Sequence, residues 1–135
     1  MTIKALIKAV QDRLRPIVGN GANEVILRGA KYPEEPSIII EPPESESEET
    51  LDFYRTEDVV LSIRIQTIHP TGQINYELVL DLVQQVKEEL RGIINVDGYD
   101  LYFAPPSTTN QTLEHEDRTE LAAVVTYPSL RFPNN

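Results

Sequence analysis

The clearest pattern in the chain is an alternation of apolar and other residues between positions 59 and 67. Val59, Leu61, Ile63 and Ile65 fall on one side of an extended strand, and the intervening residues, which are mixed in character, fall on the other. A period of two over this length indicates a half-buried β-strand. The apolar side is expected to face helices, and the mixed side to face solvent or a neighbouring subunit.

Two stretches repeat apolar residues at the spacing of an α-helix. In the first, which we expect to end near residues 16–19, the apolar positions are Ile3, Leu6, Ile7, Val10, Leu14 and Ile17. In the second, from about residue 75 to residue 91, they are Tyr76, Val79, Leu80, Val83, Val86 and Leu90, with Leu78 and Leu82 on the flank. A strand that leads into a covering helix predicts a small sheet with helices packed on it.

Shorter apolar segments predict further strands at residues 24–28, 37–41, 99–104 and 119–127, the last one resuming at 130–132 after Pro128 and Ser129. The polar segment 105–117 is predicted to be a long loop. A chain of 135 residues predicts one domain, residues 1–135. The predicted fold class is α+β, with a small mixed or antiparallel sheet covered on one face by two helices.

A segment rich in proline, serine and glutamate interrupts the apolar pattern between residues 41 and 50. Such a segment buries too little apolar surface to offset the entropy cost of ordering it. We expect a mobile acidic loop at about residues 41–55, and we take Glu44, Glu46, Glu48 and Glu49 as candidate contacts for a basic neighbour. The run lacks the glycine and the spaced oxygens of an EF-hand loop, so calcium binding is not expected.

The charge balance narrows the choice of partners. The formal net charge is −10, with 22 acidic and 12 basic residues. An acidic surface repels phosphate, so nucleic-acid binding through a basic patch is not expected, although an acidic wall can surround DNA without gripping it. The chain has no cysteine, and no apolar run approaches the length of a membrane span.

The cluster His115-Glu116-Asp117 combines side chains that can bind a divalent metal. Consecutive residues rarely point at one centre, so a solvated acidic loop is the favoured interpretation. The sequence contains no glycine-rich phosphate loop, no serine nucleophile elbow and no cysteine nucleophile. We therefore expect no enzymatic activity, no catalytic residue, no cofactor and no metal.

The C-terminal segment 127–132 reads as an exposed strand with unpaired edges. Its apolar residues Tyr127, Leu130 and Phe132 are candidate interaction residues, because an open edge can extend the sheet of a neighbour. The alternative is an ordinary edge strand that its proline protects from pairing. The aromatic residues of this part of the chain fit two interpretations equally, packing inside the sheet or anchoring a subunit interface.

The order and texture of these elements resemble the tail terminator, or tail completion, proteins of long-tailed bacteriophages and prophages. The resemblance lies in the opening helix, the strand at 58–67, the helix at 76–90 and the final strand at 121–127. It implies a tail-terminator-like subunit of a homo-hexameric ring at the tail–neck junction of the virion, assembled in the host cytoplasm. The implied partners are other copies of the chain, the tail tube protein, the sheath protein if the tail has one, and the head–neck connector protein. DNA is implied to pass unbound through the lumen, and no membrane is involved.

Other interpretations stay open at this point. A second neck or tail-completion subunit, such as a connector stopper, belongs to the same class. An acidic adaptor that binds a basic protein belongs to another class, and an enzyme with a carboxylate or metal site is the least favoured. A terminator is expected to be monomeric or weakly associated on its own and to form a ring in the particle.

Overall fold

Two long antiparallel strands form the centre of the protein, as its computed structural model shows. Strand β3 (Val59–Pro70) pairs with strand β7 (Arg118–Arg131) along almost its whole length, from Pro70 opposite Arg118 to Val59 opposite Leu130. The structure describes residues 3–30, 35–41, 43, 59–70, 73, 75–96 and 98–131. The predicted acidic loop, apart from residues 41 and 43, lies outside the described residues.

Five more strands extend this pair. On one side lie β2 (Ser37–Glu41) and then β1 (Glu24–Leu27), which is parallel to β2. On the other side, β7 pairs with both β6 (Ser107–Glu114) and β5 (Tyr99–Phe103), and β4 (Gly92–Val96) pairs with β5. The sheet is therefore mixed, with the order β1-β2-β3-β7-β5-β4 and with β6 beside β7.

Two helices, α1 (Ile3–Leu14) and α2 (Tyr76–Glu89), cover one face of the sheet. Helix α1 contacts both β1 and β4, which stand at opposite ends of the strand order, so the sheet curls around it. The α+β class is confirmed. The inward side of β3 is also confirmed, because Leu61, Ile63 and Ile65 are fully buried.

The buried side of β3 ends in a chain of polar contacts that ties the strand to α2. The backbone N–H of Asn75, the N-cap of α2, donates to His69 Nδ1 at 3.1 Å. With Nδ1 accepting, His69 Nε2 carries the proton and donates to Thr67 Oγ1 at 2.7 Å. The Thr67 hydroxyl in turn donates to the carbonyl of Leu121 at 3.3 Å. These bonds satisfy buried polar groups, and they explain why β3 continues past the predicted end at residue 67.

The predicted apolar stripe of α2 is wrong at two positions. Leu80 is 67% exposed and Tyr76 is 59% exposed, whereas Leu82, predicted on the flank, is completely buried. At about 100° per residue, Leu82 and Val86 lie near the centre of the face that meets β3 and β7, and Leu80 lies well to one side of it. The core face of α2 is narrower than its apolar composition suggests.

The loop predicted at 105–117 is also wrong, because most of it forms β6. The strand β4 was not predicted at all. Gly92 has the positive φ of +66° expected after a helix end, but it is also the first residue of β4. Gly98, with φ of +82°, lies in the short connection from β4 to β5, where positive φ suits a hairpin turn.

The predicted break of the last strand at Pro128 is absent. Strand β7 runs through residue 128, and the pairing with β3 shifts there, from Leu61 opposite Tyr127 to Val59 opposite Leu130. A bulge of this kind accommodates a proline within a strand, because the residue without an N–H falls where the ladder is interrupted.

Two leucines of α2 test this assignment of the core face. We expect Leu82→Ala to lower the free energy of unfolding by about 2–5 kcal/mol, because it leaves a cavity at a fully buried position. Leu80→Ala, the same change two positions away, should alter it by no more than about 0.5 kcal/mol. Urea denaturation followed by circular dichroism measures both. Equal losses for the two variants would contradict the buried face described here.

Candidate assembly surface

The most exposed strand of the sheet is β6. All eight of its residues are exposed, on both faces, although its pairing with β7 is unbroken from Ser107 opposite Thr126 to Glu114 opposite Thr119. On its other side, β6 pairs with no strand within the described ranges. The strand contains one charged residue, Glu114, and neither lysine nor proline. It therefore lacks the usual devices that keep a strand edge from pairing with another chain.

The two ends of the strand order are better protected. At β1, the side chain of Gln11 from α1 donates to the carbonyl of Val25 at 3.2 Å. At the opposite end, β4 is only five residues long and lies against α1. Of the three edges in the described sheet, β6 presents the longest open row of backbone donors and acceptors.

A group of polar side chains lies on the face of the sheet that the helices leave uncovered. We call it the outer-face cluster, and it consists of Glu35, Gln66, His115, Arg118 and Glu120. Gln66 Nε2 donates to Glu35 Oε1 at 2.6 Å. Glu120 lies between the two basic groups, 3.6 Å from Arg118 Nε and 3.6 Å from His115 Nε2. Strands β3 and β7 position three of these side chains, at Gln66, Arg118 and Glu120.

The environment of Glu35 favours its neutral form. Partial burial raises the pKa of this carboxyl above its usual value of 4.5, and the negative charge of Glu120 adds to the rise. The hydrogen bond from Gln66 and the positive charge of Arg118 act in the opposite direction and offset part of it. Glu35 Oε2 is buried without a hydrogen-bond partner among the described residues.

Two hollows flank β6. One, of about 280 Å³, lies on the outer face between β3 and β6 and is lined mainly by polar side chains, including Arg64, Gln66 and Gln111. The other, of about 300 Å³, lies where β6 begins, between the end of α2 and Pro106. The second hollow carries Lys87 and Arg91 with Glu88, so the start of β6 lies beside a locally basic surface.

Two of the three predicted interaction residues of the C-terminal strand, Tyr127 and Leu130, do not lie at an exposed edge. Tyr127 and Leu130 are buried in the core, at 0% and 1% exposure, because β7 is a central strand with neighbours on both sides. The Tyr127 ring meets Phe103 edge to face at 5.6 Å, and burial raises the pKa of its hydroxyl. For these residues the core interpretation is correct. Phe132, Glu44, Glu46, Glu48 and Glu49 lie outside the described residues.

The three consecutive residues weighed as metal ligands do not converge. His115 Nε2 faces Glu120, and Asp117 Oδ1 accepts from Arg118 Nη1 at 3.2 Å. No group of three or more potential ligands forms within the part of the chain that the structure describes. Within the same part, no helix is long and apolar enough to cross a membrane.

Sequence reasoning missed the edge strand because its polar residues resemble those of a loop. A usable signal was present in the three threonines at 108, 109 and 112, since β-branched residues favour strands. The outer-face cluster could not be anticipated, because it joins Glu35 to residues of β3 and β7 that are far away in sequence.

Comparison with other proteins bears on the fold. No protein-family model matches the sequence, and no curated protein matches it. Five chains of solved structures do match. One of them aligns with 98% of this chain and 97% of its own length, with a TM-score of 0.62 and 12% sequence identity. That protein carries an identifier in place of a functional name, and at this identity the likeness shows the arrangement of elements alone.

The outer-face cluster predicts a dependence of stability on pH. Because the pKa of Glu35 is raised on folding, the folded protein loses this proton less readily than the unfolded chain. The group therefore costs stability progressively as pH rises above the usual carboxyl pKa of 4.5, and the cost is complete once pH exceeds the folded pKa. We expect Glu35→Gln to raise the thermal midpoint at pH 7–8, and the gap to the parent protein to close as pH falls toward 4.5. Glu114→Gln, the same change on the exposed strand, is the control and should show no such convergence.

Proposed function

We propose that this protein is a tail terminator of a long-tailed bacteriophage or prophage. In this role, copies of the chain form a ring, expected to be a homo-hexamer, that caps the tail tube, stops its elongation and docks to the head–neck connector at the tail–neck junction of the virion. The observation that carries the proposal is the open edge of β6, an assembly surface on a chain whose element order resembles that family. A tail-terminator-like fold is part of the proposal.

The open edge suits the assembly that the proposal requires. An uncovered strand gains affinity by pairing its backbone with a strand of a partner, and the side chains on both faces then set specificity. A ring needs two different surfaces on each copy that fit each other and close on themselves. In the particle, β6 would be covered by a neighbouring copy, by the tail tube protein, by the sheath protein if the tail has one, or by the connector.

The charge of the chain is compatible with a passage for DNA. Six copies at −10 each carry a formal charge of roughly −60. A lumen lined by acidic surface repels the phosphate backbone, so DNA would slide through it without specific contacts. The acidic glutamates at 44–49 belong to this part of the proposal as candidate contacts for a basic neighbour.

Two alternatives predict different particles. A connector-stopper subunit would also sit at the neck, but its loss would leave tails of normal length. An acidic adaptor that uses the glutamate-rich segment to bind a basic protein would have no effect on tail structure.

The test is removal of the gene from the phage or prophage, followed by electron microscopy of the particles. Overlong tails that are not joined to heads are the expected result, and a plasmid copy of the gene should restore the normal length. Tails of normal length that fail to join heads would favour the connector subunit instead. Normal, joined particles would overturn the proposal.

An edge variant connects this phenotype to β6. Complementation with Thr109→Glu and Gln111→Glu together should leave tails unterminated, because two carboxylates beside the edge oppose the approach of another acidic chain. The neutral single variant Thr109→Gln, which keeps the native Gln111, is the matched control for size and should complement. Circular dichroism of both purified proteins establishes that each is folded.

A further inference from the structure

We propose that, outside the particle, two copies of this protein pair through β6. The two strands run antiparallel about a two-fold axis perpendicular to the sheet, with Asn110 of one copy opposite Asn110 of the second. The pair joins the two sheets into one and covers the open edge of each. This inference goes beyond the proposed function and does not depend on it, because it concerns the isolated protein.

The edge is accessible along its whole length. All eight residues of β6 are exposed on both faces, so neither the helices nor the outer-face cluster obstructs an approaching strand. Its register with β7 is unbroken from residue 107 to residue 114, so its outward backbone groups keep the regular alternation that an antiparallel partner requires. The other edges of the described sheet are short or are contacted by α1.

The charge distribution favours a second copy as the occupant. At −10, two copies repel each other except where charge is low or complementary, and β6 carries a single charge, Glu114, at its end. The start of β6 lies beside the hollow that holds Lys87 and Arg91. Antiparallel pairing places the acidic end of each strand against the basic start of the other, twice in a symmetric pair.

The faces of the strand fix the register. Even-numbered residues of β6 share the face of Leu121, Ala123 and Val125, which is the side that the helices cover on β7. With a two-fold axis perpendicular to the sheet, the helix-covered faces of the two copies lie on the same side of the joined sheet. This requires even-numbered residues of one copy to stand opposite even-numbered residues of the other. With Asn110 on the axis, Glu114 then faces residue 106 of the second copy, on the side of α2 that carries Lys87.

The side-chain pairs in this register are favourable. Thr112 stands opposite Thr108 of the second copy, and the exposed Leu113 stands opposite Ser107. No two charged residues of β6 face each other, because Glu114, the single charge of the strand, stands opposite Pro106, just before the first strand residue of the second copy. Threonine pairs and the absence of like charges both stabilise an antiparallel ladder.

Cysteine cross-linking tests the register directly, because the chain has no cysteine of its own. Asn110→Cys should form a disulfide-linked dimer under mild oxidation, since directly opposed side chains approach closely enough for a disulfide. Ile93→Cys on β4, a strand position that is 59% exposed, is the control and should remain monomeric. Equal cross-linking of both variants, or none at Asn110→Cys, would overturn the proposal.

A charge exchange tests the identity of the partner without a covalent bond. By sedimentation equilibrium at low salt, Lys87→Glu and Glu114→Lys should each weaken the dimer on the order of tenfold, because each disrupted contact occurs twice. The double variant should recover most of the parent affinity. A double variant as weak as the two single changes combined, or a parent protein that stays monomeric at every concentration, would refute the pairing.

These results are independent of the tail phenotype. A dimer that forms in solution while gene removal leaves tails normal would support the pairing and overturn the proposed function. Overlong tails together with a strictly monomeric protein would support the proposed function and overturn the pairing.

Discussion

The pairing of β3 with β7 is the interaction on which the rest of the structure depends. The two strands share an apolar face on which both helices pack. Its fully buried residues are Leu61, Ile63 and Ile65 on β3 and their neighbours Ala123 and Val125 on β7. Each large aliphatic side chain buried in this way contributes about 1.5–3 kcal/mol from removal of apolar surface from water. Without this apolar face, the buried side chains of α2, including Leu82 and Val86, would be left exposed to water.

The same pairing determines what the protein presents to others. Side chains alternate between the two faces of a strand. Because the apolar residues occupy the face toward the helices, Arg64, Gln66 and Glu120 lie on the opposite face. Because β7 is longer than any of its partners on the far side, β5 and β6 divide its edge between them, and only β5 receives a further strand. The open edge of β6 is thus a consequence of how the central pair is extended.

The sequence predicted those elements whose stability comes from a regular apolar period. Helix α1, the inward face of β3 and the existence of α2 follow from such periods, and the structure confirms them. Strand β2 was predicted from its apolar composition instead, and it is buried on both faces. Prediction failed where burial depends on distant partners. Leu80 and Leu82 are the same residue type on the same helix. Leu80 is exposed and Leu82 is buried only because of where the sheet lies beneath α2.

The edge strand and the central strand show the same limit. Apart from its three threonines, little in the local sequence distinguishes the polar residues of β6 from a loop, and they form a strand because β7 pairs with them along its length. Pro128 predicted an interruption, and only the bulge opposite residues 59–61 makes it tolerable inside β7. The candidate assembly surface could therefore be identified only from the tertiary structure, whereas the fold class could be predicted from the sequence.

The position of β7 within the sheet also has a consequence for biosynthesis. This middle strand follows β3 in the chain only after α2 and three further strands. Until the ribosome has released it, the inward residues of β3 have no partner on that side, and the nascent chain carries an unfinished apolar surface. Closure of the sheet is therefore a late event, dominated by contacts between distant segments, and such topologies fold slowly compared with helical bundles.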